Sequence, residues 1–97
     1  MYGLIGKMTA VEGQRDALTA ILLERIPNLV GCISYVVAHD PGDDSAIYVT
    51  EIWTSEDAHR ASLQVQAVKD AIYKALPLVA TFSDARVTTP VGGMGLG

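Results

Sequence analysis

Trp53 and His59 have the side chains with the clearest potential for chemistry in this sequence. An imidazole titrates near neutral pH, so His59 could accept a proton from a phenolic hydroxyl and later return it. An indole ring can stack on a planar molecule and donate its N–H to an oxygen of that molecule. We therefore treat His59 as a candidate proton relay and Trp53 as a candidate ring clamp.

Both residues also have an ordinary structural interpretation. A single histidine without an evident partner is more often a surface or hydrogen-bonded core residue than a catalytic one. Trp53 is the one tryptophan of the chain and could fill the gap between a sheet and a helix. The two interpretations of Trp53 are compatible, because one ring can serve both purposes.

Glu51 lies two positions before Trp53 and would share its face in a strand. If both faces of that strand are covered, the carboxylate either forms an ion pair or acts as a base. The partner in an ion pair could come from a second copy of the chain. Because Lys7, Arg15 and Arg86 are available, the salt-linked role is the favoured one.

The remaining polar and aromatic residues give weaker signals. Tyr35, Tyr48 and Tyr73 could line a pocket, although aromatic residues at strand and helix positions are more often part of a core. Cys32 lies in an apolar run and is interpreted as a small buried hydrophobic residue. His39 and the aspartates that follow it match no known metal-ligand spacing and are typical of a solvated turn.

The glycines that end the chain are followed by no helix, so they do not form a dinucleotide-binding loop. We therefore expect no metal, flavin or nucleotide cofactor.

Four strands and two helices would have to position these residues. Apolar residues at helical spacing predict a first helix that starts near Gln14 and ends at Pro27. Thr54 or Ser55 can cap a second helix that ends at Pro77, with a break near Gln64. The predicted strands cover residues 2–9, 30–39, 46–54 and about 83–89, and a turn over 40–45 joins the second strand to the third.

This order predicts a ferredoxin-like α+β fold, in which two helices cover one face of a four-stranded antiparallel sheet. The strands at 30–39 and 46–54 carry large side chains on both faces. Two helices can cover only one face, so a second copy of the chain is expected to cover the other. The predicted assembly is a homodimeric α+β barrel.

Composition narrows the class of protein further. The 97 residues allow one domain, residues 1–97, with a core over about 2–90 and a glycine-rich tail over 91–97 that is expected to be mobile. Hydrophobic residues make up 49% of the chain and charged residues only 19%, which favours self-association. A net charge of −4 argues against nucleic-acid binding. No apolar run approaches the roughly 20 residues of a membrane helix, and the single cysteine and lack of a signal-like start favour a cytoplasmic location.

Three segments resemble the antibiotic biosynthesis monooxygenase superfamily, whose members form dimeric α+β barrels. They are Pro-Asn-Leu-Val-Gly-Cys-Ile-Ser-Tyr at 27–35, Asp-Pro at 40–41 and Glu-Ile-Trp-Thr-Ser-Glu-Asp-Ala-His at 51–59. The resemblance covers about residues 2–90. It implies a small enzyme that oxidises quinols or polyketides without metal or flavin, although another branch of the superfamily degrades haem.

The positions that define the haem-degrading branch fall on Gly6, Ser62 and Ile72, none of which can ligate iron. The resemblance therefore argues against haem degradation.

The polyketide-tailoring branch has the same tryptophan as this chain at Trp53, and its proton-relay tyrosine falls on His59. Its asparagine falls on Val49 and its arginine on Tyr73, so half of that set is missing. We take Tyr73, Tyr48, Val49 and Ser62 as candidate substrate-binding residues.

The expected function is a cofactor-independent monooxygenase that oxidises a quinol or polyphenolic aromatic substrate with molecular oxygen. The alternative is a dimeric barrel without catalytic activity that binds a small hydrophobic ligand, because one fold can host both functions. His59 and Trp53 favour the enzyme, whereas the missing asparagine and arginine favour the binding module.

Overall fold

The computed structural model of the chain describes residues 1–24 and 29–96, except for the side chain of Asp84. Its elements follow the predicted order. They are β1 (Tyr2–Ala10), α1 (Arg15–Glu24), β2 (Cys32–His39), β3 (Ala46–Trp53), α2 (Glu56–Ser62), α3 (Gln66–Ala75), a short 3-10 turn (Leu76–Leu78) and β4 (Val79–Thr88).

The four strands form one antiparallel sheet in the order β2-β3-β1-β4. This order and connectivity make the fold ferredoxin-like, as the sequence predicts. In β1 the partners of Gly6 and Leu4 on β3 are Val49 and Glu51, and Tyr35 of β2 lies on the other side of Glu51. Three different strands therefore meet around Glu51.

The helices pack on one face of the sheet. Leu18 and Leu22 of α1 are buried against Ile47 and Val49 of β3. Along β3 the buried residues alternate with exposed ones, and Tyr48 lies on the outer side. The outer face of the sheet is therefore open in a single chain, although it carries large side chains such as Val36 and Tyr48.

The predicted second helix is two helices, with the break at the predicted place. Ser55 caps α2, because its hydroxyl oxygen accepts a hydrogen bond from the Ala58 N–H at 3.0 Å. Ser62 ends α2 and donates its hydroxyl to the carbonyl of His59 at 2.6 Å. Val65 then has an extended backbone and precedes α3 without a side-chain cap. The helical spacing of α2 therefore does not continue into α3.

Two loops fix the ends of the strands. Arg15 donates to the Asp43 carbonyl at 2.8 Å, which ties α1 to the predicted turn between β2 and β3. Gly31 has a φ of 83°, and a β-carbon there would lie 2.8 Å from the β-carbon of Ala58. Glycine is therefore required where β2 begins against α2.

Two boundaries differ from the prediction. Strand β4 begins at Val79, four residues before the predicted start, because the chain leaves the 3-10 turn directly into the sheet. The expected end of the first helix, at Pro27, lies outside the described residues. In the described part of the chain, no helix is long and apolar enough to cross a membrane.

Candidate active site

A cavity of about 360 Å³ lies between the sheet and the helices α1 and α3. Such a volume is at the lower end of the range for small-molecule sites. Most of its wall is apolar, with residues from all four strands and from helices α1 and α3, among them Leu4, Met8, Ile21, Leu22, Val49 and Ile72. The cavity can therefore hold a flat hydrophobic molecule against a mostly apolar wall.

Gly6 of β1 opens this cavity. It lies on the cavity wall opposite Val49, and a β-carbon built at Gly6 would meet no atom within 4 Å. Its φ is not positive, so the backbone there would accept any L-residue. The missing side chain therefore leaves space in the cavity and is not needed for a turn.

Glu51 is the one carboxylate among the described residues that line the cavity. The residue is half-buried on β3, on the face that the helices cover. Its Oε1 accepts a hydrogen bond from the indole Nε1 of Trp53 at 3.1 Å. The site thus places a single acidic group in an otherwise apolar wall, with one of its oxygens held by a fixed donor.

The favoured ion pair of Glu51 is not found among the described residues, where the ion pairs are Glu56–Arg60 and Glu24–Lys74. The three cations named for it have other contacts. Arg15 binds the turn carbonyls, Arg86 donates to the Ala85 carbonyl at 3.2 Å, and the Lys7 ammonium lies 5.5 Å from the centre of the Tyr48 ring. Its described hydrogen bond is instead to Trp53.

Trp53 and His59 are brought together, as their candidate roles require. Their ring centres are 5.3 Å apart at 65°, and the ring centre of Tyr2 is 5.7 Å from that of His59. However, Trp53 is only 1% exposed, and neither ring is among the cavity-lining residues. We call these three rings the aromatic cluster. The roles of His59 as a proton relay and Trp53 as a ring clamp stay predictions.

The four candidate substrate-binding residues lie in different places. Val49 lines the cavity, whereas Ser62 is buried at the end of α2 and does not. Tyr48 is 37% exposed on the outer face of the sheet, and Tyr73 is 80% exposed on α3. One of the four therefore lies where a molecule in the cavity would contact it.

Sequence reasoning did not single out most of the cavity wall. Leu4, Met8 and Ile21 look like ordinary core residues, and a glycine in a strand gives no sign of the space it leaves. Strand alternation was the available signal, since the even-numbered residues of β1 share a face with Val49 and Glu51. In the part of the chain that the structure describes, no group of three His, Cys, Asp or Glu residues is arranged to hold a metal.

Both the sequence and the structure of the chain match known proteins. The family model of antibiotic biosynthesis monooxygenase matches residues 1–74. A member of that family from Chloroflexus aurantiacus J-10-fl has 54% sequence identity and a TM-score of 0.96, with 99% of this chain and 98% of that chain covered. A comparison with curated proteins found no significant match.

More distant structures share the fold alone. SnoaB, a cofactor-independent oxygenase from Streptomyces nogalater, has 14% identity and a TM-score of 0.77, with 96% and 95% of the two chains covered. A Caulobacter crescentus CB15 protein has 17% identity and a TM-score of 0.84, with 94% and 90% covered. Because the family model spans most of its length, the chain belongs to the antibiotic biosynthesis monooxygenase family.

Proposed function

We propose that the protein is a cofactor-independent monooxygenase that oxidises a quinol or polyphenolic aromatic substrate with molecular oxygen inside the cavity. The observation that carries the proposal is an apolar cavity of about 360 Å³ with one carboxylate in its wall. Membership of the family supports it. So does the fold shared with SnoaB, although a shared fold alone does not establish a shared function.

The cavity suits the chemistry of such a reaction. A phenol becomes a much better electron donor to oxygen when it loses its proton, and an apolar wall offers the resulting anion few competing waters. The walls also hold the ring in place, which removes much of the entropic cost of bringing two reactants together. The protein would therefore hold the substrate in position, limit its contact with water and supply a proton acceptor.

We also propose that the active form is a homodimer, in which a second copy covers the outer face of the sheet. Val36 is 52% exposed on that face and Ile5 is 42% exposed, beside Tyr48. Apolar side chains exposed on the outer face of a sheet in a small protein are typical of an interface. Sedimentation equilibrium that shows a folded monomer at micromolar concentration would contradict this part of the proposal.

A binding module without catalytic activity is the second candidate. It is favoured by Val49, which places an apolar side chain on the cavity wall at the position of the family branch's asparagine. Such a protein would bind the same flat aromatic molecules and leave them unchanged.

Oxygen uptake separates the two candidates. The purified protein is mixed with hydroquinone, 1,4-naphthohydroquinone and a polyphenol, and oxygen consumption is recorded against protein-free controls. We expect saturable uptake above the uncatalysed rate for at least one of them. Binding of these molecules without any additional uptake would favour the binding module instead.

A further inference from the structure

We infer that Glu51 is the residue that takes the phenolic proton from the substrate, an inference that rests on the proposed function. A proton acceptor must lie within hydrogen-bond reach of the substrate hydroxyl. Glu51 meets this condition for a molecule in the cavity, because it is part of the wall. The His59 ring packs against the Trp53 ring, and His59 is not part of the wall.

The other titratable residues of the wall are poorer acceptors. They are Lys7, Tyr35 and Arg86. An arginine is always protonated in proteins, and a lysine ammonium has only donors. The Lys7 ammonium moreover lies over the Tyr48 ring, on the outer face. A tyrosine hydroxyl carries its own proton at neutral pH, which leaves Glu51 as the group that can accept one.

The Trp53 indole determines which oxygen of Glu51 takes the proton. An indole N–H can only donate, so the Oε1 that it contacts must remain an acceptor. The proton from the substrate is therefore carried by Oε2. Trp53 is buried and cannot easily turn away, which makes it the positioning residue for Glu51.

The step balances with oxygen as the oxidant. The substrate O–H bond breaks, the proton passes to Glu51, and the phenolate gives one electron to oxygen. The superoxide and the ring radical join through a new C–O bond. The resulting peroxide takes back the proton from Glu51. The C–H electron pair at that carbon then forms a C=O bond as the O–O bond breaks, and the leaving hydroxide takes the C–H proton, so that one oxygen atom stays on the ring and the other leaves as water.

The test compares Glu51→Gln with wild type on two hydroquinones at one pH. The pH lies between the first ionisations of nitrohydroquinone and hydroquinone, so the first is already ionised in solution and the second is not. Glutamine keeps an oxygen that can accept from Trp53 but cannot take a proton. Glu12→Gln, the same change at an exposed residue away from the cavity, is the matched control.

We expect Glu51→Gln to lower kcat for hydroquinone by about 100-fold with little change in KM. For nitrohydroquinone we expect kcat within about threefold of wild type, since no proton has to be removed. Equal losses with both substrates, or no loss with either, would overturn the inference.

A wild type that oxidises neither of these two nor any substrate of the oxygen-uptake assay would instead contradict the proposed function. A second variant, Glu51→Asp, covers the case in which Glu51→Gln does not fold, and its circular dichroism and melting temperature are recorded with the others. It keeps the carboxylate, so we expect it to retain more than a tenth of the hydroquinone turnover. Equal losses on hydroquinone and nitrohydroquinone in a correctly folded Glu51→Asp would overturn the inference, because the change would then affect something other than proton removal.

Discussion

The cavity and the aromatic cluster lie side by side on the helix-covered face of the sheet, and they differ in what their residues suggest. The aromatic cluster contains Trp53 and His59, the residues with the most evident chemical potential, yet their rings pack against each other at 5.3 Å. The cavity is lined by leucine, isoleucine, valine and a glycine, and it holds the available space. In this protein, the two residues that the sequence singles out most clearly and the room for a substrate are found in different places.

Glu51 is the link between the two regions. It lines the cavity and accepts the hydrogen bond of Trp53, so the aromatic cluster can act on the cavity through one carboxylate. This explains how a packed tryptophan could matter for activity without touching a substrate. The cavity therefore provides the space for a substrate, and the aromatic cluster holds Glu51 in position.

Filling the cavity should have the largest effect. Gly6→Val places a branched side chain into the open space, and a strand accepts valine readily. We expect turnover of the best quinol to fall by about 100-fold while the melting temperature stays the same or rises. Steady-state kinetics and thermal melts measure both.

Gly92→Val is the control for that change, because Gly92 also has open space around its β-carbon position and lies in the tail, away from the cavity. It should leave turnover unchanged. Wild-type turnover in a folded Gly6→Val protein would show that the substrate binds somewhere else.

A charge introduced on the outer face should weaken the dimer and leave ligand binding in the cavity nearly unchanged. Val36→Asp introduces a carboxylate among the apolar residues of that face, and we expect dimer dissociation to become at least about tenfold easier. Because the described cavity wall comes from a single chain, quinol affinity should change by less than about threefold. Sedimentation equilibrium and a binding titration give the two numbers.

Ala20→Lys, a charge added on the exposed part of α1, is the control and should affect neither quantity. If Val36→Asp abolished quinol binding in a folded protein, the cavity would depend on the second copy.

Removing the indole N–H should have an intermediate effect that is shared between stability and rate. Trp53→Phe keeps much of the buried ring but loses the hydrogen bond to Glu51. We expect the free energy of unfolding to fall by about 2 kcal/mol, because the half-buried Glu51 Oε1 loses its donor and some packing is lost. Chemical denaturation measures this change.

For kcat we expect a fall of about fivefold in the same variant, with KM nearly unchanged, since the ring does not contact the substrate. A raised KM with an unchanged kcat would support the ring-clamp role that the sequence suggests.

The smallest effect is expected at His59. If Glu51 takes the proton, His59→Gln should change turnover by less than about twofold, because glutamine fills a similar volume in the aromatic cluster. The proton-relay hypothesis predicts a loss of about 100-fold in the same variant. Steady-state kinetics of the folded protein decides between them.

The sequence predicts the framework of this molecule well because its signals are local. The cap at Thr54 or Ser55 and the alternation of faces along the strand at 46–54 each depend on a few neighbouring residues. In the structure Ser55 is the cap, and Tyr48 and Val49 lie on opposite faces of β3. The break near Gln64 appears where expected, between α2 and α3. The placement of Glu51 and Trp53 on one face of β3 follows from the same alternation.

The cavity could not be predicted in the same way, because it depends on what is absent between distant elements. Gly6 shows its importance only when Val49 and the helices are in place. Tyr73 was a reasonable candidate by resemblance, but Ile72 and Ala75 occupy the inward side of α3 and leave Tyr73 in solvent. A helix face can be predicted from spacing, whereas an unfilled space within a core cannot.

The most direct test of the account is to locate a bound quinol. We propose to record nuclear Overhauser effects between the ring protons of 1,4-naphthohydroquinone and the methyl groups of the protein, without oxygen so that no turnover occurs. We predict contacts to Val49 and Ile72, on the cavity wall. Contacts to Val36 and Thr50, on the outer face of the sheet, with none to the cavity methyl groups, would contradict the account.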